Sequence, residues 1–222
     1  MTPQERITRA RQGESADRKP TMVWSISPGH EADVVTSPIV ELSHALKTYP
    51  DQLVLAEVLS PLARALRRDY DLNTLLSEDP EFGNAKLDEL VGETQVDILT
   101  ALDKGAAGIF YLLDGAFPTV CTPMQYGGYY LERDRELLEL ADEALFNVLY
   151  LLGEDEIYFD FVADLPAHAM CWSARHQALK VAEARNMTKS LIALDHVEAD
   201  VLFAHSFDEA ARLLSRLESA SA

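Results

Sequence analysis

The sequence predicts an α/β protein that is built on a parallel β-sheet. Six short runs are apolar at nearly every position, longer stretches between them carry apolar residues at helical spacing, and the two kinds of segment alternate along the 222 residues. Strands that are apolar on both faces are typical of parallel sheets covered by helices on both sides. The predicted strands are Thr21–Ser27, Val54–Leu59, Gly108–Leu113, Phe146–Leu152, Ala167–Trp172 and Leu191–Asp195.

The predicted helices lie between these strands, which indicates βαβ units. The clearest one begins at Asp79 and Pro80, a good N-cap followed by proline at the first helical position, and Gly105 ends it. The sequence contains neither GxGxxG nor GxxxxGK[ST], the phosphate-binding signatures of nucleotide folds. Spacing alone does not choose between an open sheet and a closed barrel. The other predicted helices are Tyr129–Glu143, Gln177–Met187 and Phe207–Leu217.

Composition excludes several classes of partner. Asp and Glu number 37 against 19 Lys and Arg, which gives a net charge of −18. Such a surface repels phosphate backbones and anionic lipids, so we expect neither nucleic acid nor a membrane as partner. No run of about 18 apolar residues occurs. The polar N-terminus does not resemble a secretory signal, and two cysteines favour the reducing cytoplasm. We expect one domain over residues 1–222.

Five segments, in their order along the chain, resemble a known family. These segments together are similar to the uroporphyrinogen decarboxylase superfamily, whose fold is a (β/α)8 barrel. The resemblance therefore implies a TIM-type barrel rather than an open sheet. The matching segments are Thr2–Ile7 with Asp17-Arg18-Lys19-Pro20, Leu59-Ser60-Pro61-Leu62, Glu78-Asp79-Pro80-Glu81, Gly105–Phe110, and Phe146–Leu149 with Gly153-Glu154-Asp155.

Compared with that family, the barrel is expected to be shortened. Only a short connection lies between Ser27 and Leu53, where a strand and a helix are expected, and a final strand is not recognised after Phe203. A barrel that lacks two units exposes strand edges, which tend to pair with other chains. Either fewer, rearranged strands close the barrel or a second copy covers the gap. We predict a homodimer.

The resemblance does not extend to the family's known chemistry. For the haem-pathway enzyme, the resemblance implies arginines after the first strand that bind the carboxylates of the substrate. The corresponding segment of this chain, Ser25–Glu31, contains no arginine. The methyltransferase branch holds zinc with His-x-Cys and a later Cys. At that strand this chain has Tyr150-Leu151-Leu152, which lack the thiolate and imidazole ligands that zinc prefers. Porphyrinogen decarboxylation and zinc-dependent methyl transfer are not expected, and no cofactor is predicted.

Candidate site residues are those at the carboxyl ends of the predicted strands, because barrel enzymes build their sites there. Glu57, Asp114 and His176 are the candidate acid–base residues. Glu57 lies in an apolar run, so we expect it to point into the barrel or to be an edge residue. His176 and His196 with Asp195 and Glu154 leave a divalent metal possible. The candidate substrate contacts are Trp24, Ser27, Tyr150, Glu154, Trp172, Arg175 and His196.

Two functions are compatible with these residues. The first is a lyase or methyltransferase-type enzyme that acts on a small carboxylated or methylated compound at the barrel mouth. The second is a non-catalytic binding or assembly module derived from such a barrel. Polar groups at nearly every strand end favour the enzyme, whereas the expected loss of two barrel units favours the module.

Overall fold

A closed barrel of eight parallel strands forms the centre of the protein, as seen in a computed structural model that describes residues 1–24, 32–153, 156–172, 179–196 and 198–220. Each strand pairs with the next, and Thr21 of the first strand pairs with Leu202 of the last. The predicted barrel is therefore confirmed and the open sheet is excluded. The strands are β1 (Thr21–Val23), β2 (Val34–Pro38), β3 (Leu53–Leu59), β4 (Gly108–Leu113), β5 (Val148–Leu151), β6 (Ala169–Trp172), β7 (Leu191–Leu194) and β8 (Val201–Ala204).

Helices surround the barrel. The long helix begins as predicted, because the Asp79 side chain accepts a hydrogen bond from the backbone N–H of Phe82 at its N-terminus. Gly105 follows its end with a φ of +91°, a conformation that favours glycine. Within the described residues, every helix is too short or too polar to cross a bilayer. The helices are α1 (Pro3–Arg11), α2 (Leu42–Thr48), α3 (Pro61–Arg67), α4 (Leu72–Glu78), α5 (Pro80–Asp103), α6 (Pro123–Gln125), a π-helix (Tyr126–Tyr130), α7 (Leu131–Glu139), α8 (Phe159–Val162), α9 (Val181–Ala184) and α10 (Phe207–Ala220).

The expectation that two barrel units are missing is wrong. β2 and α2 occupy the segment between Ser27 and Leu53, and β8 includes Phe203 and completes the ring. β2 was not recognised because Thr36, Ser37 and Pro38 make up its second half, so that it lacks a continuous apolar run. A closed barrel has no strand edges to cover. Exposed strand edges were the reason for expecting a dimer, and the closed barrel removes that reason. Dimerisation therefore stays an untested prediction.

Alternate residues of each strand face two different apolar layers, as the pleat requires. One set points into the barrel and includes Met22, Leu55, Phe110, Val148 and Phe203, all at most 3% exposed. The other set packs outward against the helices. Strand parity therefore decides which strand residues can contribute to a site inside the barrel.

Helix α1 closes the N-terminal end of the barrel, and ion pairs centred on Asp33 hold it there. Ile7 of α1 is fully buried against the inner layer. Asp33, also buried, accepts hydrogen bonds from Arg6 (2.8 Å), from Arg18 (2.6 Å) and from the backbone N–H of Thr21 (2.9 Å). Hydrogen bonds from three residues, two of which are cations, offset the free-energy cost of burying this carboxylate. The Asp17-Arg18-Lys19-Pro20 segment therefore holds α1 against the barrel.

Candidate active site at the C-terminal end of the barrel

Glu57 is the central polar residue at the C-terminal end of the barrel, which we call the mouth. It lies in β3 on the same face as Leu55 and Leu59, so its side chain points inward. Its Oε1 atom accepts hydrogen bonds from the indole Nε1 of Trp24 (3.0 Å) and from the hydroxyl of Thr36 (2.8 Å). The residue is partly exposed, and Oε2 accepts no hydrogen bond from any described residue. The carboxylate is therefore fixed through one oxygen while the other can contact a ligand.

Five aromatic rings pack together beside Glu57, and we call Trp24, Phe110, Tyr150, Phe203 and His205 the aromatic cluster. The ring centroids of Trp24 lie 5.0 Å from Tyr150, 5.4 Å from Phe110 and 5.8 Å from His205. Phe110, Tyr150 and Phe203 are buried, whereas Trp24 is partly exposed and His205 is exposed. The cluster thus fills the barrel below the mouth and presents Trp24 and His205 towards solvent.

Tyr150 and Cys171 are uncharged members of the same inner layer. Burial raises the pKa of the Tyr150 hydroxyl above its ordinary value, and the nearby Cys171 and the negative charge of Asp195 raise it further. Burial, with the charge of Asp195, likewise raises the pKa of the Cys171 thiol. A protonated thiol is not a nucleophile, so Cys171 is not expected to attack a substrate in this state. The Tyr150 hydroxyl can donate or accept a hydrogen bond.

Asp114 does not form a close pair with Glu57. The register places Phe110 opposite Glu57, and Asp114 lies four residues further along. That offset corresponds to roughly 13 Å along the strand direction. Burial raises the pKa of Asp114, while a hydrogen bond from the backbone N–H of Gly115 and the charge of Arg67 lower it. Asp114 is therefore a separate acid at the rim.

Trp172 does not contribute to the mouth, contrary to its assignment as a substrate contact. Cys171 points into the barrel, so its neighbour Trp172 points outward and packs edge-on against Phe159 of α8, with ring centroids 5.5 Å apart. Its indole Nε1 is buried and has no hydrogen-bond partner among the described residues. Strand alternation is the physical reason for this correction.

The remaining predicted site residues are only partly described. His196 follows β7, is exposed, and its Nδ1 accepts a hydrogen bond from the backbone N–H of Glu198 at 3.3 Å. Among the described residues, no group of three or more His, Cys, Asp and Glu side chains could hold a metal ion. The predicted site residues that lie outside the described residues are Ser27, Glu154, Arg175 and His176.

Sequence reasoning missed Thr36, Phe110, Phe203 and His205. Each lies two residues from another inward-facing position, so strand parity would have identified it once its strand was recognised. Phe110 alternates with Leu112 in a strand that was predicted, and that signal was present. Thr36 lies in β2, and His205 directly follows β8. Both strands belong to the two barrel units that were expected to be absent.

A second buried acid lies away from the mouth, in the outer layer. Asp134 of α7 accepts hydrogen bonds from the hydroxyls of Tyr111 (2.7 Å) and Tyr126 (3.0 Å). Burial raises the pKa of Asp134 to about 7, although both hydrogen bonds act to lower it. The three residues link β4, the π-helix and α7, and they have no contact with Glu57. They are structural rather than part of the site.

Comparison with solved structures finds similar chains. A methyltransferase from Methanosarcina mazei superposes with a TM-score of 0.77 over the whole of both chains, at 10% sequence identity. A 3-keto-L-gulonate-6-phosphate decarboxylase from Vibrio cholerae superposes with a TM-score of 0.49 over 90% of this chain and 99% of that chain, at 8% identity. No model of a known protein family and no curated protein matches the chain. The likeness to the methyltransferase shows a shared parallel barrel fold.

Proposed function

We propose that the protein is a lyase or methyltransferase-type enzyme, derived from the uroporphyrinogen decarboxylase-like barrels, in which Glu57 is the acid–base residue. Its substrate is a small carboxylated or methylated compound that binds at the mouth. One observation carries the proposal, namely that two side-chain donors hold Oε1 of Glu57 while Oε2 accepts no hydrogen bond from the described residues. A carboxylate fixed in this way is oriented for proton transfer to or from a bound molecule.

Packing alone does not account for Glu57. Placing a carboxylate in an otherwise apolar layer costs free energy unless it is paired, and neither of its hydrogen-bond donors is a cation. A leucine would fill the same layer without that cost, as Leu55 and Leu59 do on either side. Trp24, which directly follows β1, and Thr36 of β2 also supply polar atoms. Residues from three parts of the barrel therefore contribute to a polar arrangement that the fold itself does not require.

The non-catalytic alternative has lost the observation that favoured it. It depended on the loss of two barrel units, and the ring contains eight strands. A complete barrel with a polar mouth is the usual frame of an enzyme site. Both cysteines are free and buried, which is compatible with the cytoplasmic location that we propose.

The proposal is tested by replacing Glu57 with glutamine. Purified protein is incubated with a library of small carboxylated and methylated compounds, and consumption is followed by mass spectrometry. Glu57→Gln keeps the oxygen that accepts from Trp24 and Thr36 but cannot transfer a proton, so we expect turnover to fall by about 100-fold or more. The matched control is Glu143→Gln, because Glu143 is exposed and precedes β5 at the opposite end of the barrel. Turnover by Glu57→Gln at the wild-type rate would show the proposal to be wrong.

A further inference from the structure

The mouth carries negative charge and aromatic surface together, and we infer that it binds an organic cation, specifically a methylated ammonium group. This inference rests on the proposed function, because it concerns the same site and names the class of substrate. It chooses the methylated compound over the carboxylated one. Three features of the described residues support it.

The first feature is the sign of the charge. Glu57 points into the barrel, and Asp195, two residues beyond the inward-facing Ala193, raises the pKa of both Tyr150 and Cys171 by its negative charge. Along the described strands, none of the inward-facing positions is occupied by lysine or arginine. A carboxylated ligand would meet two carboxylates without a compensating cation on these strands, whereas a cation would be attracted to both.

The second feature is the aromatic cluster. Cations bind favourably over the faces of aromatic rings, and tryptophan is the strongest of these. Trp24 is partly exposed and donates its indole N–H to Glu57, so one side chain supplies a ring face next to a fixed carboxylate. His205 lies 5.8 Å from Trp24 between ring centroids, and Tyr150 lies 5.0 Å away. Ring faces and a carboxylate together are the usual recognition elements for quaternary ammonium groups.

The third feature is the kind of cation that suits the side chains at the mouth. A metal ion takes lone pairs directly from several donor atoms. An alkylated ammonium needs no such ligation, because its charge is spread over methyl groups that pack against apolar rings. Phe110 and Phe203 are buried in the same cluster, so the surroundings of the partly exposed Trp24 ring are apolar.

Isothermal titration of the intact protein with three probes tests this inference. Choline carries a trimethylammonium group, 3,3-dimethyl-1-butanol has the same shape without charge, and glutarate is a small dicarboxylate. We expect choline to bind at least about tenfold more tightly than the neutral isostere, which corresponds to roughly 1.4 kcal/mol. Equal affinities for choline and its isostere, tighter binding of glutarate, or no binding of choline would each overturn the inference.

Variants assign the binding to the mouth. Glu57→Gln is expected to lower choline affinity about tenfold and to leave binding of the neutral isostere unchanged, whereas Glu143→Gln leaves both unchanged. Trp24→Phe, which keeps a ring but loses the indole, provides a second variant, and thermal unfolding verifies that each variant is folded. Unchanged choline affinity in folded Glu57→Gln and Trp24→Phe would overturn the inference.

Failure of this inference can be distinguished from failure of the proposed function. If Glu57→Gln abolishes turnover of a neutral or anionic compound and choline does not bind, the enzyme proposal stands and the cationic substrate is wrong. If choline binds in a Glu57-dependent way but turnover does not depend on Glu57, the cationic site stands and the acid–base role is wrong.

Discussion

The two ends of the barrel differ in how completely a buried or partly buried acidic side chain is paired. At the N-terminal end, Asp33 accepts four hydrogen bonds and pairs with both Arg6 and Arg18. At the mouth, Oε2 of Glu57 and the hydroxyl of Tyr150 have no hydrogen-bond partner among the described residues. Full pairing stabilises a fold, whereas polar atoms without partners at a partly exposed position are available to a ligand. The difference agrees with a structural role for the N-terminal end and with the small-molecule site that we propose at the mouth.

The largest expected effect comes from breaking the N-terminal network. Asp33→Ala leaves Arg18 without its carboxylate in a partly buried position, so we expect a loss of about 3–5 kcal/mol in the free energy of unfolding. Urea denaturation measures it. Asp51→Ala is the matched control, because Asp51 is exposed at the same end, and it should unfold like the wild type. Choline binding by folded Asp33→Ala should remain unchanged, and a stability equal to that of Asp51→Ala would contradict the assignment.

A smaller, pH-dependent effect is expected from His168, which precedes β6 at the same end. Burial, with the positive charge of Arg11, lowers the pKa of His168 to about 4, and its Nδ1 accepts a hydrogen bond from the backbone N–H of Asn147. The unfolded chain takes up this proton near pH 6.5, so stability is lost as the pH falls from about 6.5 to about 4.

His168→Gln removes this titration. Urea denaturation at pH 7.5 and pH 5 should show that the wild type loses more stability on acidification than the variant, by on the order of 1 kcal/mol after allowance for solvent screening. Identical losses in the two proteins would mean that His168 does not couple protonation to folding. Choline affinity per folded molecule should respond to neither change, because His168 lies at the end opposite the mouth.

The smallest effect on stability is expected at the mouth. Thr36→Val removes one of the two donors that fix Glu57, so we expect the free energy of unfolding to change by less than about 1.5 kcal/mol. Choline affinity should nevertheless fall several-fold, because the carboxylate is no longer held in one orientation. Thr36→Ser retains the hydroxyl and should restore binding, as measured by calorimetry. Equal affinities for the valine and serine variants would show that Thr36 does not position Glu57.

The sequence predicted the parts of the fold whose signals are local. The N-cap at Asp79 and the glycine at position 105 set the ends of α5, and both signals lie within a few residues of the helix ends that they define. β2 was missed because an inward-facing threonine and a proline interrupt its apolar pattern. A local pattern identifies a buried strand only when its apolar run is continuous.

The arrangement of the candidate site could be predicted only in part, since its residues come from distant strands. The inward position of Glu57 was expected because one carboxylate in an apolar run is visible in the sequence alone. Phe110 and Phe203 read as ordinary core residues, and only barrel closure brings their rings within 6.2 Å of each other. Trp172 was misassigned because a strand end was considered without its alternation relative to Cys171.

The closing pair of strands has a consequence for how the protein folds during synthesis. Thr21 of β1 pairs with Leu202 of β8, so β1 has one unpaired edge until the ribosome has produced β8. Contacts between residues so far apart in sequence form slowly, because the intervening chain must be ordered first. During that interval an open parallel sheet is exposed, and such intermediates are prone to aggregate. Expression yield is therefore expected to depend on how fast the last strand reaches the first, and on chaperones that shield the sheet until it does.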